Sequence, residues 1–206
     1  MTWADWAVFA VFWAIFVITP GPNAVNCITN GMTIGFRRSL WGVAAILTQA
    51  AAFLLLSAAG VTALIAANPA ALFWAKIIGA AVLIWMGIQG WRNARKMVEP
   101  SPRSGRSIYF TALAIATINA KSVAGYLAAF TQFVRADVPV WDQMGVIMPT
   151  ALTLTALSYL GYTAIGAGIG RAALGAVFNL WFRRALAVCF MVYGAALGSL
   201  AIPQRG

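Results

Sequence analysis

The chain has no histidine, four acidic residues and two cysteines among its 206 residues. Without histidine there is no Ser-His-Asp hydrolase. Without histidine or a carboxylate cluster, no conventional metal site or metal cofactor is expected. Cys27 and Cys189 each lie inside an apolar run, a spacing that is neither a metal motif nor a disulfide framework, so both read as packing residues. Charge is scarce altogether: 9% of residues, where a soluble globular domain carries about 25%. Too few charges remain to cover a water-facing surface, which excludes an ordinary soluble enzyme, a disordered chain and a nucleic-acid binder. No Lys or Arg precedes Arg37, so the N-terminus lacks the positive region of a cleaved signal peptide and reads as a retained first span.

What the chain has in abundance is apolar residues, 62% of the total, and a net charge of +10 gathered in short clusters between long apolar runs. A membrane helix needs about 20 predominantly apolar residues, and six stretches qualify: roughly 6–34, 40–66, 72–91, 107–134, 143–169 and 185–202. The first is interrupted by Thr19-Pro20-Gly21-Pro22-Asn23 and closed by Arg37 and Arg38. Asn68-Pro69 reads as a tight turn. Residues 92–106 form the longest polar stretch and the natural midpoint, and the fourth run is interrupted at Thr117-Ile118-Asn119-Ala120-Lys121. Arg135 to Asp142 reads as a short polar turn, and residues 170–184, with Arg171, Trp181, Arg183 and Arg184, suit the membrane interface. Trp3, Trp6, Trp41, Trp74, Trp91, Trp141 and Trp181 fall near run ends, as an interfacial belt would.

Basic residues set the orientation. The loops after runs one, three and five hold Arg37, Arg38, Arg92, Arg95, Lys96, Arg103, Arg106, Arg171, Arg183 and Arg184, ten of the fourteen Lys and Arg residues. The other side holds Arg135, Arg205 and, if it snorkels, Lys76. The expectation is an all-α membrane protein of six spans with both termini outside. The chain then forms a single transmembrane domain over 1–206, with halves 1–91 and 107–206 joined by a cytoplasmic loop over 92–106. Each half has three spans and begins with a broken one, so the second half enters from the opposite side. Matched breaks in an inverted repeat point to the substrate site of a secondary transporter. A five-span arrangement with one broken segment re-entrant is the alternative.

The breaks carry the chemistry. Pro20 and Pro22 remove two backbone donors, and backbone freed at membrane depth is tolerated only against protein or a water-filled cavity. The helix restarting at Asn23 offers free amides to an anion such as a substrate carboxylate; the bland alternative is a proline kink whose Asn side chain satisfies its own backbone. Lys121 lies far from either end of the fourth run. A charge there costs at least ~2.5 kcal/mol on insertion scales, and no membrane carboxylate is available to pair with it, so a ligand anion or dipoles such as Asn23 and Asn119 remain. Desolvation favours its neutral form, which makes Lys121 the candidate for proton coupling; a snorkelling or structural lysine is the alternative. Gln49, with Thr48, is either interhelical glue or cavity lining. Gln132 lies near the face of Lys121, towards the outer end. Run five carries Thr150, Thr153, Thr155, Ser158, Tyr159, Tyr162 and Thr163, which either line a path or bond their own helix. Gly161, Gly166, Gly168 and Gly170 read as close-packing positions. The candidate binding residues are therefore Pro20, Gly21, Pro22, Asn23, Gln49, Asn119, Lys121 and Gln132.

With these motifs the chain resembles the LysE/RhtB family of bacterial amino-acid exporters over nearly its whole length. Thr19-Pro20-Gly21-Pro22-Asn23 and the stretch from Gly31 to Gly42 are similar to the family's N-terminal signature. Asn119-Ala120-Lys121 and Phe130-Thr131-Gln132-Phe133-Val134 are similar to its Asn-Pro-Lys and Leu-Pro-Gln-Phe elements, with Ala120 and Thr131 in place of the family's prolines. Trp181-Phe182-Arg183-Arg184 before the last run also fits. The fourth span is accordingly expected to be less sharply broken than in relatives. The resemblance implies export of amino acids or small derivatives across a bacterial inner membrane, driven by a proton or ion gradient. With no acidic residue in the membrane core, neutral, apolar or homoserine-like cargo is favoured over basic amino acids. Competing readings are an uncoupled channel, an exporter of basic amino acids, an intramembrane enzyme, which lacks paired acid and base groups, and a structural subunit. The small-residue content is also compatible with a homo-oligomer.

Overall fold

A computed structural model describes residues 2–67, 69–95, 108–135, 137–169 and 180–201. They form seven helices: α1 (Trp3–Ile18), α2 (Pro22–Ala67), α3 (Pro69–Arg92), α4 (Ile108–Ile118), α5 (Ala120–Phe133), α6 (Val140–Ile169) and α7 (Leu180–Ala201). The expected turn at Asn68, the basic residues Lys96, Arg103, Arg106, Arg171 and Arg205, and Gly170 lie outside the described residues, as do the side chains of Lys76, Lys121 and Arg183.

Helix α1 starts in a capping box: the Thr2 hydroxyl accepts from the Asp5 amide at 3.2 Å, and the Asp5 carboxylate accepts from the Thr2 amide at 3.0 Å. Those bonds hold the Asp5 carboxyl below the usual carboxylate range. The helix stops where Pro20 and Pro22 withhold the donors that the Phe16 and Ile18 carbonyls need. Thr19 seals the last turn, donating its amide to the Ile15 carbonyl at 3.0 Å and its hydroxyl to the same carbonyl at 2.6 Å. Helix α2 restarts at once, with Pro22 in the first helical position, where a missing N–H is harmless. Its first turn closes through the Val25 amide and the Gly21 carbonyl at 3.1 Å.

The structure departs from expectation after that. Instead of a loop around Arg37 and Arg38, the chain reverses at one residue, Gly35, whose φ of 76° and ψ of 167° belong to glycine. The arms on either side, 22–34 and 36–67, run antiparallel. The Asn30 amide sits against Gly42, 3.2 Å from where a Cβ would stand, and Ala24, Cys27 and Ile28 pack on Val43 and Ile46. The fourth apolar run is broken by a single non-helical residue, Asn119. Helix α7 carries Trp181 and Arg184 in its first turns; the preceding part of the stretch expected at the interface, 170–179, lies outside the described residues. The Arg184 guanidinium lies 4.7 Å from the centre of the Trp91 ring and 5.7 Å from that of Trp181, within cation–π range.

Helix α6 packs along α2 and α1, α3 packs on α7, and α4 on α2. Two crossings bring backbones into contact. A Cβ on Gly31 would stand 2.3 Å from the Thr163 carbonyl, and one on Gly166 would stand 2.3 Å from that of Ile28. Gly87 and Gly194 do the same between α3 and α7. Gly161 and Gly168, expected to pack closely, have nothing within 4 Å of a Cβ among the described residues. The core is aromatic: Phe9, Phe12, Trp13 and Phe16 of α1 interlock with Tyr126, Phe130 and Phe190. The exterior is apolar too, with Leu56, Phe110 and Leu157 more than half exposed. Among the described residues, two helical segments are long and apolar enough to cross a membrane, Val140–Gly168 and Pro22–Gly60, the latter folded back at Gly35.

Candidate functional site

The break between α1 and α2 is supported from α6. The Ser158 hydroxyl donates to the Val17 carbonyl at 3.1 Å, and the Tyr162 hydroxyl donates to that of Ile18. Below them, the Trp13 indole donates to Thr155 and the Trp6 indole to Thr150, each at 3.0 Å. The polar stripe of α6 is thus largely a ladder holding α1, a third use beside lining a path or bonding its own helix. Self-bonding also occurs: Thr155 donates to the Ala151 carbonyl at 2.7 Å and Thr163 to that of Tyr159 at 2.8 Å. Tyr159 stands apart from the ladder. Its hydroxyl faces the Asn23 side chain and lies within electrostatic reach of Tyr126, Tyr162 and Cys27.

Helix register places three of the candidate residues at one depth. Asn30 meets Gly42 across the antiparallel arms of α2. Asn23, seven positions before Asn30, is therefore level with Gln49, seven positions after Gly42. Gly42 also lies 3.7 Å, measured from a Cβ, from Ile108 and Ala112, and Val43 and Ile46 pack with Ala116. Helix α4 thus runs parallel to the second arm, and Asn119, three residues past Ala116, stands at the height of Gln49. All three amides are buried: Asn23 and Gln49 are each 3% exposed and Asn119 is 8% exposed. Pro20 and Gly21 are buried beside them, and Pro22 is exposed.

The amides are not all satisfied. Among the described residues, the Oδ1 of Asn23 and both polar atoms of Gln49 have no hydrogen-bond partner. Each such group costs about 1–3 kcal/mol of desolvation if left bare, so native structures pair it with protein, water or a bound solute. Two more orphans, Asn26 Nδ2 and Thr29 Oγ1, follow along α2. Asn26 and Asn30 escaped the sequence reading, although their spacing from Asn23, three and seven residues, marks one helix face.

Lys121 belongs to the first turn of α5 by its backbone; its side chain lies outside the described residues. Gln132 is not brought to this depth. It lies 13 residues along α5 from Asn119, about 20 Å at the helical rise, and is half-buried. Among the described residues, the acidic groups lie elsewhere. Asp5 caps α1, Asp142 starts α6 and Asp137 pairs with Arg135 at 2.6 Å in the turn between α5 and α6. The Arg135 guanidinium holds the Asp137 carboxyl below its ordinary range. Gln143 clasps that turn, accepting from the Arg135 amide at 3.0 Å and donating to the carbonyls of Arg135 and Val138 at 2.9 Å.

Asn23, Gln49 and Asn119 thus stand buried at one depth near the starts of α2 and α5, with no charged side chain among them in the described residues. Helix starts present free N–H groups and positive dipole ends; amide side chains both donate and accept. Such a place suits a small solute carrying an anionic group.

Comparison with known proteins gives the family. The family model described as LysE type translocator matches residues 14–200. A protein of Vibrio cholerae named "uncharacterized membrane protein" is 32% identical over 169 residues, covering 81% of this chain and 82% of the relative. The homoserine/homoserine lactone efflux protein of Salmonella typhimurium is 26% identical over 203 residues, covering 97% of this chain and 98% of the relative; that of Salmonella typhi matches equally. No solved structure matches the chain.

Proposed function

The chain belongs to the LysE type translocator family, a transporter in the membrane and not an enzyme, and from that premise we propose that it exports small neutral amino acids or homoserine-like derivatives from the bacterial cytoplasm. The observation that carries the reading is the meeting of Asn23, Gln49 and Asn119 at one depth, beside the first turns of α2 and α5. In this reading the amides of those turns receive the substrate carboxylate. Asn23 and Gln49 direct their orphaned atoms to it, and Lys121 supplies counter-charge and couples proton movement to cargo movement. The four acidic residues of the chain are Asp5, Glu99, Asp137 and Asp142. Asp5, Asp137 and Asp142 lie away from the amides and Glu99 lies outside the described residues; the absence of a described carboxylate beside the amides favours a neutral side chain over a cationic one. Efflux of homoserine by the Salmonella relatives points the same way.

Six spans in two inverted halves account for the helices. Span one is α1 with the first arm of α2, span two the second arm, span three α3, span four α4 with α5, span five α6 and span six α7. The pairing of α1 with α6 and of α4 with α2 supports an exchange of equivalent pieces between halves. The basic residues Arg37, Arg38, Arg92 and Arg95 then face the cytoplasm, with both termini periplasmic. Gln49 lies eleven residues past Arg38, about 16 Å along a helix. That is close to half of a hydrocarbon core of about 30 Å, the depth at which alternating-access sites lie.

The test is counterflow of an amino-acid mixture into liposomes holding the purified protein, Lys121→Ala or Asn23→Ala. Exchange of neutral amino acids by the intact protein, lost in both folded variants, is the expected result. Exchange that persists in both variants places the site elsewhere, exchange confined to lysine or arginine overturns the cargo class, and uphill flux indifferent to a proton gradient overturns the coupling.

A further inference from the structure

From the break towards Gly35, the first arm of α2 carries Asn23, Asn26 and Asn30 on one face, three and four residues apart. The Asn30 Nδ2 donates to the Asn26 Oδ1 at 3.4 Å. Asn23 Oδ1 and Asn26 Nδ2 on this face, and Thr29 Oγ1 to one side of it, are out of contact with solvent and have no hydrogen-bond partner among the described residues. Buried polar groups are ordinarily paired with protein or water, so unpaired ones gathered along one arm point to a place where water or solute is taken up. The row runs one way only. On the other side of the break, α1 presents Phe9, Phe12, Trp13 and Phe16, each at most 4% exposed and locked into aromatic contacts. The row ends at Gly35, next to the exposed Arg37 and Arg38.

We propose that the Asn23–Asn26–Asn30 row is the cytoplasmic half of the translocation path, a water-accessible track along which a small zwitterionic solute passes between the cytosol and the midplane amides. The inference rests on the orientation and cargo proposed above. Amide side chains suit the task because each donates and accepts without net charge. They match ammonium, carboxylate and hydroxyl groups in turn, and hold none of them tightly. Passage requires binding favourable enough to enter and weak enough to leave at several successive sites. A row of charges would trap one end of a zwitterion; an apolar row would exclude it.

The test uses Asn26→Cys, Asn30→Cys and Thr29→Cys, each in full-length protein with Cys27 and Cys189 replaced by alanine. The proteins are reconstituted in vesicles of defined sidedness and exposed to a membrane-impermeant sulfonated maleimide. Arg37→Cys reports the cytoplasmic face, and Phe12→Cys reports the packed arm. Thiols react as thiolates, which form only where water reaches them. The expected result is that the row cysteines react from the same face as Arg37→Cys, that Phe12→Cys stays unreacted from either face, and that homoserine slows the reaction at Asn26→Cys several-fold. Thr29→Cys carries the same expectation if an asparagine variant does not elute as folded protein. Failure of the folded row variants to react from the Arg37 face, while Arg37→Cys does, overturns the path. Reaction without protection by homoserine leaves the path standing and counts against the cargo. Reaction of Arg37→Cys together with the row from the outer face reverses the orientation, and with it the assignment of this path to the cytoplasm.

Discussion

The two arms on either side of the Pro20-Gly21-Pro22 break are made of different material. Helix α1 is aromatic and satisfied: Trp6 and Trp13 donate to threonines of α6, and the carbonyls left open at Val17 and Ile18 accept from Ser158 and Tyr162. The first arm of α2 carries asparagines at 23, 26 and 30, and two of them keep polar atoms with no partner among the described residues. One interruption thus serves two ends. The strain of broken backbone is absorbed on the α1 side by a neighbouring helix. In the proposed reading the polar groups on the α2 side stay available for a ligand, so that hydrogen-bonding groups used for stability and those kept for function are divided by three residues of chain.

Substitutions on the two sides should therefore fail differently. The largest effect is expected from Asn23→Ala, which removes an amide that meets cargo. Hydrogen bonds to a charged group are worth about 1.5–3 kcal/mol, so homoserine counterflow should fall by roughly 10- to 100-fold in the protein that remains folded. Next comes Tyr162→Phe, which leaves the Ile18 carbonyl buried and unpaired. That should cost about 1–3 kcal/mol of stability, read as a lowered unfolding midpoint, while the protein that remains folded still exchanges cargo. Gln49→Leu sharpens the contrast further. Removing two orphaned atoms and keeping the volume should leave stability unchanged or raise it by ~1 kcal/mol, while transport is lost, a trade typical of binding sites. A melting point that falls in Gln49→Leu would mean that its amide is paired in the working protein and belongs to the structural side.

The smallest effect concerns the start of α1. The Asp5 carboxyl is held below its ordinary range by the Thr2 hydrogen bonds. A depressed folded value contributes stability that is present above the unfolded pKa, about 3.9, and is lost as pH falls through the folded one. The group is exposed, so the loss should be slight. Acidification from pH 5 to pH 3 should lower the melting temperature a little less in Thr2→Ala than in the intact protein.

How far these arms could be read from sequence follows from what kind of chemistry wrote them. Proline has no N–H, so the break at residues 20–22 is a local fact and is plain in the chain. Asn119 interrupts the fourth run without a proline, and its polar run of neighbours still marked the place. Gly35 was harder: a reversal on one glycine φ looks, in sequence, like an ordinary loop beside two arginines. The role of Thr150, Thr155, Ser158 and Tyr162 could not be read at all, because it depends on α6 lying against α1, a relation of register between residues more than 140 positions apart. Asn26 and Asn30 left a signal that was available, amides at helical spacing from Asn23, and were hidden by the apolar residues between them. The convergence of Asn23, Gln49 and Asn119 likewise needed the Asn30–Gly42 contact to set the depth of each.

The division between a structural arm and a binding arm is tested most directly by the melting temperature of purified protein with and without homoserine, for the intact chain, Asn23→Ala and Tyr162→Phe. A ligand that binds only the folded state raises stability by RT ln(1 + [L]/Kd). The intact protein should gain stability with homoserine. Tyr162→Phe should start lower and gain as much, and Asn23→Ala should gain nothing over its own starting value. An equal gain in Asn23→Ala, or a gain lost in Tyr162→Phe instead, would contradict the account.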